Sequence, residues 1–236
     1  MTPGTFVLVH GAWHGGWCWA RVSGPLRRQG HRVVTPTLTG LGERSHLLSP
    51  RITLETFIQD VVNVLAWEEL SEVVLVGHSF AGLVISGVAD RMPQRIRHLV
   101  YLDAFLMDPG QSVFDTLPRG LVARLREAAG PSGALAVPRP ANFGLDQPQD
   151  LSFVERRLTP HPIGTYETPL NLRHPVGNGL PATYLSCTRP RFAAVEASRQ
   201  WVRRHAPHWV WQDLETGHDA MVSAPALVLR ALESLA

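Results

Sequence analysis

The segment Gly77-His78-Ser79-Phe80-Ala81-Gly82 sets a serine among small residues, directly after the apolar run Val73-Val74-Leu75-Val76. A buried strand that turns sharply into a helix holds such a serine with its hydroxyl exposed above a sheet. Small flanking residues are needed because the two backbones come close together. The fifth position of the pattern Gly-x-Ser-x-Gly is Ala81, and glycine follows one place later at Gly82. The competing reading of Ser79 is a plain helix N-cap. A serine hydroxyl is a weak nucleophile and needs a base. Among eleven histidines, His218 stands out, because Gly217-His218-Asp219 falls between the last strand-like and the last helix-like segment. The acid is less sharply marked. The loop Cys187-Thr188-Arg189-Pro190-Arg191 has no carboxylate before Glu196, which lies in a helical stretch. Asp103 closes the strand after the serine's helix, at the carboxyl end where parallel sheets bind ligands. The order Ser79, Asp103, His218 is that of Ser, Asp, His enzymes. A turn-capping Asp103, with Asp213 or Glu215 as the acid, stays open.

Negative charge developing on a substrate oxygen needs backbone N–H donors. Phe80, the residue after the serine, supplies one; the turn His10-Gly11-Ala12-Trp13 supplies the other, at Ala12. Gly11, Gly15 and Gly16 let this turn approach a ligand. Trp13, Phe105 and Phe143 are the expected pocket lining, whereas Trp17 and Trp19 read as helix packing. Arg189 and Arg191 lie near the active end of the sheet and read as surface residues.

The elements that must position these groups alternate along the chain. Apolar runs at Phe6–Val9, His31–Thr35, Glu72–Val76 and Leu99–Leu102 predict buried strands. Helices are predicted over Trp17–Gln29, capped by Gly30, from Thr53 on the face Phe57, Ile58, Val61, Val62 and Leu65, and over Ala81–Asp90. The alternation resumes with strands at Ala182–Ser186 and His208–Leu214 and helices at Phe192–His205 and Ala224–Leu235. This pattern predicts an α/β fold with a mostly parallel sheet flanked by helices. Residues 1–107 and 181–236 form its core. Residues 108–180, rich in proline and with room for short helices such as Leu121–Ala129, are expected as a cap and not an independent domain.

All 22 basic residues are arginine. Schiff-base, pyridoxal-phosphate and phosphate-loop lysine chemistry is therefore excluded. Cys18 and Cys187 are far apart and form no CxxC, so neither a disulfide framework nor a zinc or other metal site is indicated. A net charge of +2 without a basic cluster gives no reason to expect nucleic acid. No apolar run approaches the roughly 18 residues of a membrane span. Met1-Thr2-Pro3-Gly4-Thr5 leads into a strand without a basic-then-apolar leader, so a cytoplasmic protein is expected.

Together, Phe6-Val7-Leu8-Val9-His10-Gly11-Ala12-Trp13-His14-Gly15-Gly16-Trp17, Gly30-His31, Leu75-Val76-Gly77-His78-Ser79 and Gly217-His218-Asp219 resemble the α/β-hydrolase superfamily. Within it they resemble the branch of bacterial carboxylesterases, plant methyl-ester esterases and hydroxynitrile lyases. Leu158-Thr159-Pro160-His161-Pro162 also looks like bacterial esterase members. The resemblance implies a Ser-His-Asp hydrolase without cofactor or metal, taking a small-molecule ester; a homo-oligomer is left open. The placement of the acid departs from the wider superfamily. Plant lyases of this branch carry a threonine in the first oxyanion turn and a lysine just after the histidine; here Gly11 and Asp219 stand there. The expectation is ester hydrolysis through an acyl-enzyme on small to medium apolar or aromatic esters. A ligand-binding receptor, a lyase, or a lactone or carbamate hydrolase are the alternatives.

Overall fold

The computed structural model describes residues 3–235; what the N-terminal reading draws from Met1 and Thr2 lies outside them. Six strands form the main sheet: β1 (Thr5–Val9), β2 (Arg32–Val34), β3 (Val73–His78), β4 (Ile96–Leu102), β7 (Ala182–Cys187) and β8 (Val210–Leu214). Their order is β2-β1-β3-β4-β7-β8, and every pairing in it is parallel. Side chains alternate across a strand, so β1 feeds both faces. Val7 and Val9 pack in the layer of α2 (Leu54–Trp67) and α3 (Ala81–Arg91). Phe6 and Leu8 pack with α1 (Ala20–Arg28) and α9 (Pro225–Glu233). Each such buried aliphatic or phenyl side chain contributes about 1.5–3 kcal/mol.

The crossovers raise β3 and β4 to the middle of the sheet, and their carboxyl ends carry Ser79 and Asp103. The strand and helix order follows the expected alternation, with displaced ends. β3 runs two residues beyond Val76, to His78, and β4 starts at Ile96. The helix expected from Trp17 opens as a 3-10 turn, Gly16–Trp19, and Gly30 beyond its end has φ +91°. α7 (Glu196–His205) follows a separate 3-10 turn, Ala193–Val195. The closing helix expected at Ala224–Leu235 is α9, which starts at Pro225. A short helix not expected from the sequence, α8 (Ala220–Ser223), precedes it, and the two are parted at Ala224, which lies before Pro225 and leaves the helical region.

Between β4 and β7 the chain forms α4 (Arg119–Ala129), β5 (Ala134–Leu135), α5 (Pro148–Glu155), β6 (His161–Pro162) and α6 (Gly164–Glu167). β5 and β6 pair antiparallel in a ribbon of their own. The prolines here punctuate more than they disrupt. Pro118 precedes α4 and Pro148 opens α5, where a missing N–H costs nothing. Among the described residues no helix is long and apolar enough to cross a membrane.

Candidate active site

Ser79 follows β3 in the turn before α3, with φ +54°. The turn closes only because two positions lack a Cβ. One at Gly77 would stand 2.7 Å from the Ala81 carbonyl oxygen, and one at Gly82 would stand 2.3 Å from that of Phe105. The glycine one place late in the motif is therefore the one the packing requires. The Ser79 N–H donates to Leu102 O at 3.1 Å, and the Phe105 N–H donates to Ser79 O at 2.9 Å. These bonds lock the serine turn to the segment that carries Asp103.

His218, between β8 and α8, reaches Ser79 from the other side. Its Nε2 accepts from Ser79 Oγ at 2.9 Å, and its Nδ1 donates to Asp103 Oδ2 at 2.7 Å. The carboxylate fixes that tautomer. Asp103 is fully buried and, at φ +43°, sits in the left-handed region. Asp213 and Glu215 are not brought to the histidine: Asp213 accepts from Trp211 Nε1, and Glu215 is an exposed partner of Arg189. Phe192 stacks on the His218 ring at 4.0 Å between centroids, and Phe143 at 6.3 Å.

The first turn brings Ala12 and Trp13 to the same place. Gly11 is indispensable there, since its Cβ would lie 2.7 Å from Ser79 Cβ. Gly15 and Gly16 serve the chain and not a ligand: a Cβ at Gly15 would meet the Trp17 ring, and one at Gly16 the Thr35 carbonyl. His10 orients the turn. Its Nε2 accepts from the Leu38 N–H, so its Nδ1 carries the proton and donates to Gly11 O at 2.8 Å. Burial, opposed in part by that bond, lowers the His10 pKa to about 3, which keeps the ring neutral. The Trp13 N–H is spent on His161 Nδ1 at 3.3 Å. The N–H groups of Ala12 and Phe80 donate to nothing among the described residues.

Ser79 opens into a cavity of about 160 Å³ with an almost wholly apolar wall, which includes Trp13, Phe105, Phe143, Tyr166 and Phe192. The three aromatics expected from the sequence all line it. Tyr166 and Phe192 were missed, because an isolated aromatic among prolines carries no periodic signal. Burial raises the Tyr166 pKa, leaving a neutral hydroxyl as a donor in the wall. Trp19 is core and Trp17 packs against His14 and Phe153, as read from the sequence. Arg189 and Arg191 are exposed.

Beneath the site lies a buried pair that the sequence did not reveal. His14 Nε2 donates to Asp219 Oδ2 at 3.0 Å and His14 Nδ1 to Ala12 O at 2.8 Å. Both ring nitrogens face acceptors, so His14 is an imidazolium against a carboxylate. Burial opposes its charge, but Asp219 outweighs burial and raises the pKa above 6.5. His78 lies beside the pair and donates Nε2–H to His218 O at 3.0 Å; burial first, then His218, lower its pKa well below 6.5.

A model of the alpha/beta hydrolase family matches residues 6–231. The chain belongs to that family. A carbendazim hydrolyzing esterase of Nocardioides sp. (strain SG-4G) is 40% identical, over 98% of each chain. Methylesterase 10 of Arabidopsis thaliana is 26% identical, over 98% of this chain and 91% of its own. Among solved structures, an extracellular alpha/beta-hydrolase from a Paenibacillus species superposes with a TM-score of 0.84 at 25% identity, over 99% of both chains. These relatives agree with the family and branch that the sequence motifs resemble.

Proposed function

We propose that this alpha/beta hydrolase is a carboxylesterase-type serine hydrolase working through an acyl-enzyme. Ser79 attacks the ester carbonyl while His218 takes its proton, and Asp103 orients and balances the imidazolium. The tetrahedral oxyanion is held by the N–H groups of Ala12 and Phe80. His218 then protonates the leaving alcohol and, in the second half-reaction, activates water on the acyl-enzyme. The carrying observation is the unbroken chain Ser79–His218–Asp103, at 2.9 and 2.7 Å, together with two N–H groups that have no partner among the described residues.

Small to medium esters with an apolar or aromatic part fit the cavity, whose wall is mostly aromatic; the charge of its lining residue His14 is already matched by Asp219, and no arginine lines it. Residues 108–180 are the cap of this reading: Phe143, Tyr166 and Leu117 come from them. The lyase reading is disfavoured at Asp219, whose carboxylate is committed to His14. The Nocardioides relative is named for carbendazim, so carbendazim belongs in the substrate panel beside carbamates and lactones.

The test is the burst of p-nitrophenol from short acyl esters. Wild type should show a burst near one equivalent of enzyme, and Ser79→Ala should lose turnover by about 10³-fold or more. Equal release by the two proteins would remove the acyl-enzyme.

A further inference from the structure

Asp103 holds more than the histidine. Its Oδ1 accepts from Arg199 Nη2 at 2.7 Å and from the Cys187 N–H at 3.2 Å. Among the described residues Arg199 is the only arginine that is buried, at 2% exposure. α7 delivers it, and three further acceptors grip the guanidinium: Cys187 O at 3.0 Å, Phe192 O at 3.1 Å and Glu196 Oε2 at 3.1 Å. Burying an arginine is costly unless its charge is matched. The match here is a carboxylate that already serves His218.

We propose that Arg199 is a positioning residue that sets the basicity of His218 through Asp103. The inference rests on the reading of Asp103 as the acid. A carboxylate shared between an imidazole and a permanent cation offers the imidazole less negative charge than one facing it alone. With Arg199 in place, Asp103 divides its charge between the guanidinium on Oδ1 and the imidazole on Oδ2. Without it, the buried Asp103 would hold a proton on His218 and block the base at mildly acidic pH.

The other groups facing His218 do not supply this balance. His78 is held neutral by burial. His14 and Asp219 form a pair of zero net charge. Phe143 and Phe192 present rings, and Tyr184 donates its hydroxyl to Ala104 O. Cys187 faces Asp103 with a thiol whose pKa burial raises well above the usual range. Glu196, 41% exposed, touches Arg199 from outside.

The experiment follows the pH profile of kcat/KM on a p-nitrophenyl ester. In Arg199→Met the acid limb should move to higher pH by about 1 unit or more, with a smaller loss on the alkaline plateau. Arg199→Lys, which keeps the charge, should move it less. Glu196→Gln, a partly exposed change that leaves the fold intact, should move it the opposite way by about a few tenths of a unit, because Arg199 then faces Asp103 alone. A merely structural arginine predicts no movement in either direction. Asp103→Asn should lose activity by about 10³–10⁴-fold. With Asp103→Asn so crippled, acid limbs unmoved in the Arg199 and Glu196 variants would overturn the role of Arg199 and leave the acid standing. Near-wild-type activity in Asp103→Asn would overturn both.

Discussion

Ser79, Asp103 and Trp13 are three non-glycine residues held at positive φ, 54°, 43° and 63°. Each such conformation costs about 1–3 kcal/mol and persists only where the surroundings over-determine it. Around Ser79 and Asp103 the over-determination comes from the missing side chain of Gly82, whose Cβ would press on Phe105 O and lie 2.9 Å from Ala104 Cβ. Gly82→Ala should therefore destabilise the protein by about 1–3 kcal/mol and, by moving the Asp103 segment, lower kcat/KM by about tenfold or more. Ala81→Gly should cost only about 0.5–1 kcal/mol and keep its activity. Thermal melts with kinetics on both variants decide this; a Gly82→Ala protein indistinguishable from wild type would refute the packing account. Residues of this kind were legible because local chemistry constrains them: the elbow serine, the histidine of the last loop, the aspartate ending a strand. Arg199 was not. It lies 96 positions from Asp103, and in sequence it is one more arginine on an amphipathic helix.

At the scale of elements, the segment joining α5 to β6 closes over the first turn like a clamp. The Thr159 N–H donates to Trp13 O at 3.0 Å, while the Trp13 N–H donates to His161 Nδ1. His161 is fixed as the Nε2–H tautomer, since that nitrogen donates to Thr165 Oγ1, whose hydroxyl is spent on Pro162 O. The clamp pins the peptide next to the proposed oxyanion donor Ala12. His161→Ala should lower kcat by about 10–100-fold with little change in KM, because oxyanion contacts tighten in the transition state. Thr165→Val, which frees only the outer end of the relay, should cost less. Steady-state kinetics separate the two constants, and a His161→Ala enzyme altered in KM alone would place the clamp in substrate binding. From sequence, Leu158–Pro162 was only a point of family resemblance. A ribbon of two-residue strands leaves no periodicity to read, whereas β1, β3 and β4 each carry four apolar residues in a row.

Across the whole molecule the sheet buries two ionic pairs under its active edge, Asp103–Arg199 and Asp219–His14. They differ in what pH can do to them, because arginine does not titrate in the accessible range and histidine does. Burial pushes the Asp219 pKa up, but His14 outweighs it and holds the carboxyl below 3.8. Its contribution is therefore present above 3.8 and is lost as pH falls through the depressed value. The raised pKa of His14 works in the other sense: its contribution is complete below 6.5 and is lost as pH rises through the folded value. The pair thus stabilises most between 3.8 and 6.5. In Asp219→Asn, His14 can shed its charge, keep Nδ1–H on Ala12 O and accept an amide N–H at Nε2, so the loss should be modest, about 1–3 kcal/mol. Urea melts of wild type and Asp219→Asn should differ most in that mildly acidic window and converge as the solution turns alkaline. A difference that stayed level across this range would mean that His14 is neutral and that the pair is an ordinary hydrogen bond.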